Sequence, residues 1–242
     1  MKNEIKEEKN KSSTLQLSFI KDTDNVQYKY IIYIDEAGRG CLAGPVCVGA
    51  TLWPQRMNKD NTDWTKIKDS KKLSKAKRTA LLPYIKKTSK WAVGTSSVDE
   101  IDEYNILQAT FLAMHRAIFY ILQELGPLAT SNNVLLCIDG NSFKPYIHKG
   151  DFLSHVCIPH GDDTYVGIAA ASILAKVHHD EYITQLCEEE NSLDTKYGWR
   201  KNMCYGTKQH REGIKKHGIT KHHRVTFGCC NTKPYTQSQK SL

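Results

Sequence analysis

The chain contains no run of about 18 apolar residues, so nothing in it reads as a membrane-spanning helix. It begins Met1-Lys2-Asn3-Glu4 and mixes lysine with glutamate, without the apolar stretch of a secretory signal. A soluble, cytoplasmic protein is the expectation. None of the eight cysteines forms a C-x-x-C pair, and the adjacent Cys229-Cys230 has poor geometry for a mutual bridge or a zinc clip. Cys41, Cys47, Cys137 and Cys157 fall in or near strand-like runs, which fits reduced thiols. Internal repeats and low-complexity tracts are absent as well, which excludes repeat architectures. Acidic residues are nearly missing from two stretches. Residues 66–90 hold ten Lys/Arg against Asp69, and residues 191–242 hold eleven against Asp194 and Glu212.

Those two basic blocks account for more than the whole formal charge of +8, with a pI near 9.0, and leave an acidic remainder. A solvated lysine face explains many such runs, but two basic blocks around an acidic middle suit a protein that grips a duplex backbone and cuts it with metals. With 242 residues, 40% of them hydrophobic and 25% charged, the chain can bury one sizeable core. At ~150 residues per domain, a single folded domain is expected. Residues 1–27 read as a flexible extension whose apolar patch is limited to Leu15, Leu17, Phe19 and Ile20, residues 28–228 as the folded domain, and residues 229–242 as a flexible tail.

The apolar run at 30–34 reads as a strand, and Gly44-Pro45 turns into a second at 46–52. Ser74 is expected to cap a basic helix to about Lys87, kinked or shortened by Pro83, with a third strand at 91–98. Ile106, Ala109, Leu112, Ala113, Ala117, Tyr120 and Ile121 recur at spacings of three and four, which predicts a helix over 105–125 stopped by Gly126-Pro127. A buried strand follows at 134–138, a shorter one at 155–158, and a long helix over 165–189 opened by Ala169-Ala170-Ala171-Ser172. Short basic helices broken at Gly213 and Gly218 close the chain.

The acids lie where chemistry would need them. Asp35 and Asp139 each end an apolar strand, and neighbouring strand ends lie about 5 Å apart, so their side chains can converge. Glu36 and Asp162 can join from adjacent loops. Four carboxylates so close would repel one another unless cations neutralised them, and hard oxygen ligands favour Mg²⁺ or Mn²⁺ over zinc. Two glycines around Arg39 leave the backbone beside Asp35-Glu36 open to a substrate.

Five motifs in order then resemble ribonuclease HII, over about residues 30–228: Asp35-Glu36-Ala37-Gly38-Arg39-Gly40 with Gly44-Pro45; Asp69-Ser70-Lys71-Lys72-Leu73-Ser74; Glu100-Ile101-Asp102-Glu103-Tyr104-Asn105-Ile106-Leu107; Ile138-Asp139-Gly140-Asn141; and Gly161-Asp162 ahead of Ala169-Ala170-Ala171-Ser172-Ile173-Leu174-Ala175-Lys176-Val177. The Gly-Arg-Gly form resembles ribonuclease HII rather than its relative ribonuclease HIII, where Gly-Lys-Gly stands, and the short Gly-Asp segment resembles the bacterial branch. The resemblance implies an α/β, ribonuclease H-like fold, a mixed central sheet flanked by helices with a C-terminal helical segment. It implies a two-metal site of Mg²⁺ or Mn²⁺ on Asp35, Glu36, Asp139 and Asp162, with Asp35 bridging the metals and no protein nucleophile. The implied reaction cuts the RNA strand of RNA/DNA hybrids and incises 5′ to ribonucleotides embedded in duplex DNA, leaving 5′-phosphate and 3′-hydroxyl ends. Its implied role is removal of misincorporated ribonucleotides and RNA primers by a monomer. Gly38, Arg39, Gly40 and Tyr205 would sense the 2′-hydroxyl, and Ser70, Lys71, Lys72, Ser172 and Lys176 would hold backbone phosphates.

The chain departs from the family at three places. Asn202-Met203-Cys204-Tyr205 stands where His-Lys-Gly-Tyr is usual, His179 where arginine is usual, and Cys229 where proline is usual. His217, His222 and His223 match a C-terminal family segment and read as structural or near phosphate rather than as a metal cluster. Two alternatives follow: a ribonuclease H of relaxed junction specificity, supported by residues 202–204, and a catalytically silent nucleic-acid-binding homologue, opposed by the intact acids.

Overall fold

In the computed structural model, residues 15–17, 28–56 and 63–231 are described. Strand β1 (Tyr30–Ala37) pairs antiparallel with β2 (Val46–Leu52), which pairs antiparallel with β3 (Lys90–Ser96). Between β2 and β3 runs helix α1 (Lys75–Thr88), and after β3 comes α2 (Val98–Leu125). Strand β4 (Val134–Asp139) then lies parallel to β1 on its other side. A two-stranded hairpin, β5 (Ile147–His148) and β6 (Asp151–Phe152), precedes β7 (Ser154–Ile158), which pairs parallel with β4. The long helix α3 (Val166–Glu189) is followed by α4 (Ser192–Tyr197), α5 (Trp199–Asn202) and α6 (Lys208–His217). The result is the expected mixed sheet, in the order β3-β2-β1-β4-β7, with helices against it.

Strand alternation divides the core between the two faces of the sheet. Ile32, Ile34, Leu136 and Ile138 pack with α2 on one face, and Ile31, Tyr33, Leu135 and Cys137 pack with α3 on the other. Gly49 on β2 makes the second contact possible, because a Cβ there would lie 2.1 Å from the carbonyl oxygen of Ala171. The small residues at the start of α3 thus bring its backbone onto the sheet beside β1. A third cluster around Tyr197, Trp199, Leu193 and Ile183 fixes the C-terminal helices to the loop after β1 through Cys41, Leu42 and Ala43.

Several boundaries differ from expectation for local reasons. Helix α1 continues through Pro83 to Thr88, because Pro83 faces solvent and removes only an N–H that would have reached Thr79, itself exposed. The expected strand to Val98 stops at Ser96, where Ser97 and Glu100 form a reciprocal capping box that starts α2 early. Asn105, at φ 67°, interrupts α2, and its side-chain oxygen accepts from the N–H groups of Leu107 (3.0 Å) and Gln108 (3.2 Å), recapping the segment whose periodicity the sequence shows. Gly213 does not break α6. It sits inside the helix against the Lys196 carbonyl, and the helix ends at Gly218. The packed region also extends past residue 228, since Gly228–Cys230 forms a 3-10 turn with Cys230 buried. At the other end, Leu15, Gln16 and Leu17 of the expected flexible extension are docked on the domain, while residues 1–14, 18–27 and 232–242 lie outside the described residues.

Candidate active site

The parallel register of β1 and β4 ends on Ile34 opposite Ile138, so the next residue on each strand is an aspartate. Side-chain parity puts Asp35 and Asp139 on the α3 face, where the turn Gly161–Asp163 supplies Asp162. One carboxylate oxygen from each of Asp35, Asp139 and Asp162 lies within 4.8 Å of the others. Asp139 Oδ1 fixes that turn by accepting from the N–H groups of Gly161 (2.7 Å) and Asp162 (3.4 Å). Asp35 is buried, accepts from the Glu36 N–H at 2.7 Å, and is hydrogen-bonded by Ser172. Glu36 stands at the rim instead, its Oε1 bound to Arg39 Nη1 at 3.1 Å.

Burial raises all three aspartates above the ordinary carboxylate range. For Asp35 the charges of Glu36 and Asp139 add to burial, and for Asp162 the charge of Asp139 does. Lys71 is the nearest opposing cation, with Nζ 3.5 Å from Asp162 Oδ2 on a side chain 80% exposed, and it offsets little. Three hard oxygen donors short of positive charge fit divalent metal.

Beside these acids the loop of Gly38, Arg39 and Gly40 is held from below. Gly38 has φ 88°, and a Cβ there would meet His179 Cδ2 at 2.6 Å, so both backbone and packing demand glycine. The fully buried Arg224 donates from Nε to Gly44 O (3.0 Å) and from Nη1 to Arg39 O (2.9 Å). Its Nη2 donates to Gly38 O (2.8 Å) and Pro45 O (3.0 Å). Sequence reasoning missed this residue. It sits in a basic stretch that reads as surface charge, and its partners lie about 180 positions away. Tyr205 is 37% exposed and lies against the loop, its ring 4.0 Å from a Cβ placed on Gly40, with Lys176 Nζ 5.0 Å from the ring centroid. The divergent residues before it hold a tight turn: Met203 (φ 47°) and Cys204 (φ 63°) are both left-handed, and Asn202 Oδ1 accepts from the Cys204 N–H at 3.0 Å.

The family model of ribonuclease HII matches residues 32–230. The chain belongs to the ribonuclease HII family. It is 45% identical over 194 residues to the ribonuclease HII of Parabacteroides distasonis, covering 80% of this chain and 87% of that one. Against the ribonuclease HII of Pelagibacter ubique it is 43% identical over 199 residues, 82% of this chain and 96% of that one. Among solved structures, the PCNA:RNase HII complex from Archaeoglobus fulgidus superposes with a TM-score of 0.60 at 23% identity, over 86% of this chain and 98% of that one. Bst-RNase HIII in complex with Mn²⁺ gives 0.63 at 18% identity, over 86% and 70%. These two likenesses show the fold. Family membership makes this chain a ribonuclease, a metal-dependent phosphodiester hydrolase of the ribonuclease H type. No helix among the described residues is long and apolar enough to cross a membrane.

The remaining expected site residues of this ribonuclease fall in two places. Ser70 and Ser172 are buried, with Oγ atoms 2.9 Å apart, so they stand behind Asp35 rather than on an outer surface. Lys72 pairs with Asp163, and Lys176 Nζ lies 2.8 Å from Asp180 Oδ1. Lys72 also borders a cleft of about 420 Å³ with Lys66, Lys68 and Lys77. A second cleft of about 450 Å³ is lined by Gly206, Lys208, Arg211, Glu212 and Lys215.

Under Tyr205 lies a buried histidine pair. His223 Nδ1 accepts from the Thr220 N–H (2.9 Å), which places the proton of the neutral ring on Nε2, facing His210 Nε2 at 3.1 Å. That nitrogen also accepts from Trp199 Nε1–H (3.0 Å), and His210 Nδ1 then donates to the Tyr205 carbonyl (3.2 Å). Burial, with the neighbouring His210 and His222, pushes His223 down to about 3. An unfolded histidine takes its proton near 6.5, so this stability is intact above that pH and falls as pH drops toward 3. Between pH 7 and pH 5 His223 alone is expected to cost about 2 kcal/mol. Urea unfolding across this range should therefore show a steeper acid loss in the wild type than in His223→Gln, and parallel slopes would refute the assignment.

Proposed function

We propose that this ribonuclease cuts the RNA strand of RNA/DNA hybrids and incises duplex DNA 5′ to a single embedded ribonucleotide, leaving 5′-phosphate and 3′-hydroxyl ends. The observation that carries the reading is the convergence of Asp35, Asp139 and Asp162 within 4.8 Å, beside an open glycine loop and an exposed tyrosine. Those three aspartates, with Glu36 at the rim, would hold two divalent ions, Mg²⁺ or Mn²⁺, which supply an activated water and charge neutralisation at the scissile phosphate.

The protein's own groups position the substrate. Arg224 takes the Gly38 and Arg39 carbonyls and so fixes the loop beside the acids, where its backbone would meet a 2′-hydroxyl or phosphate oxygen. The Tyr205 ring closes the other side, where a ribose lacking its 2′-hydroxyl would leave the polar groups unpaired. The two lysine-lined clefts, one bordered by Lys72 and the other by Gly206, suit the phosphate backbones of a duplex. Lys71, Lys72 and Lys176 would meet phosphates nearest the acids, and Ser70 and Ser172 would act through Asp35. A monomer acting in the cytoplasm on chromosomal ribonucleotides and RNA primers fits this reading.

The test is a DNA duplex carrying one ribonucleotide, incubated with Mg²⁺, Mn²⁺ or chelator, with the cut mapped. Metal-dependent incision 5′ to the ribonucleotide is expected, and Tyr205→Ala should lower it about tenfold or more. Cleavage of long hybrids without junction incision would instead favour a relaxed ribonuclease H, which the left-handed Met203 and Cys204 turn would explain. Affinity for duplex without cutting of either substrate would leave only the silent-binder reading.

A further inference from the structure

The Asp162 turn is not held by the catalytic domain alone. The Gln16 N–H donates to Thr164 O at 2.7 Å, and Gln16 O accepts from the Val166 N–H at 2.9 Å, a parallel bridge astride Tyr165. Val166 is the first residue of α3, whose cap residue Tyr165 makes no side-chain capping bond. The first N–H groups of a helix need an outside acceptor, and here the Gln16 carbonyl provides one. Leu15 and Leu17, pointing the same way on either side of Gln16, pack onto the cluster that contains Val166, Ile168, Tyr165 and Ile158. The three residues lie outside residues 32–230, the part of the chain that the family model matches.

Thr164 and Val166 bracket the exit of the turn that carries Asp162, and α3 carries Ser172, which bonds Asp35. We propose that Leu15, Gln16 and Leu17 form a strap that caps α3 and sets the position of Asp162, making them positioning residues for metal binding. The inference rests on the metal-binding reading of Asp35, Asp139 and Asp162. The strap acts through its backbone and its two leucines, since Gln16 is exposed. Its side chain therefore carries none of the effect.

Three full-length variants separate the possibilities: Gln16→Ala, Gln16→Pro, which removes the N–H donor, and Leu15→Asp/Leu17→Asp, which undocks the segment. Mn²⁺ affinity is read by calorimetry without substrate, together with amide exchange at Val166. The wild type should protect the Val166 amide, and Gln16→Ala should match it. Gln16→Pro and the leucine pair should lose that protection and bind Mn²⁺ about tenfold more weakly, with kcat at saturating Mn²⁺ within twofold of wild type. A purely structural role would lower kcat and the melting temperature without moving the metal affinity. An unprotected Val166 amide in the wild type, or unchanged Mn²⁺ affinity once protection is lost, would overturn the proposal. Wild-type protein that binds no Mn²⁺ would overturn the metal reading itself and this inference with it.

Discussion

Asp35→Asn should abolish cleavage, by ~10³-fold or more, and at the same time raise the melting temperature of the metal-free protein. Asp35 is buried, and its carboxyl is raised well above the usual range first by burial, then by the charges of Glu36 and Asp139. A carboxyl that binds its proton more tightly folded than unfolded contributes stability below its unfolded pKa and loses it as pH rises through the folded one. At neutral pH the metal-free protein therefore carries a cost that the isosteric amide removes. The amide can still accept the Ser172 hydrogen bond, so packing behind it is kept. A gain of about 1 kcal/mol, or ~2–4 °C for a chain of this size, is expected in chelator. Added Mn²⁺ should reverse the order, stabilising the wild type and not the variant. Melting curves with chelator and with Mn²⁺ check both signs. A variant that melts lower in chelator would mean that the acids are not in electrostatic conflict, and one that still cuts would remove Asp35 from the reaction.

The acids that create this conflict were legible because each feature involved is local. An apolar run ending in a carboxylate occurs at Asp35 and again at Asp139, and two buried parallel strands place such ends side by side. The period of 105–125 likewise marks the second part of α2, since Asn105 recaps it within its own turn. The earlier part was hidden for a different reason. Residues 97–104 have little apolar periodicity, and only the Ser97 and Glu100 pair signals a helix there.

What the sequence could not show is how distant segments interlock. Ser70 and Ser172 are 102 positions apart, one beside Lys71 and the other in the small-residue stretch of α3, and closure of α3 onto the sheet buries them together behind Asp35. Leu15 and Leu17 look too sparse for a core segment. They dock because α3 has an uncapped first turn and an apolar surface waiting beside it, and neither is visible in residues 1–27. The same holds for His210 and His223, whose proton arrangement depends on Trp199, Thr220 and Tyr205 converging from three segments.

Arg224→Met is the sharpest test of how the loop of Gly38, Arg39 and Gly40, proposed to read the ribose, is built. The guanidinium spreads its buried charge over four carbonyl oxygens, of Gly38, Arg39, Gly44 and Pro45, each at 2.8 to 3.0 Å. Methionine fills much of the same volume but leaves those carbonyls without a donor, and unpaired buried groups cost ~1–3 kcal/mol each before relaxation. A net loss of about 3 kcal/mol, or roughly 6–12 °C, is expected. Lysine should rescue little, because an ammonium cannot reach four acceptors from one buried point. Displacing Gly38 and Gly40 by even ~1 Å should cost about 10²-fold in incision at a single ribonucleotide, where all discrimination falls on one 2′-hydroxyl. Long hybrids offer many sites for productive binding, so their cleavage should fall less. Mn²⁺ affinity should stay near wild type, because Arg224 contacts the loop and not the carboxylates. Unchanged incision with an unchanged melting temperature would show that the loop holds its shape without Arg224. A loss of metal affinity would show instead that the loop and the metal site move together, as a single unit pinned from the C-terminal segment.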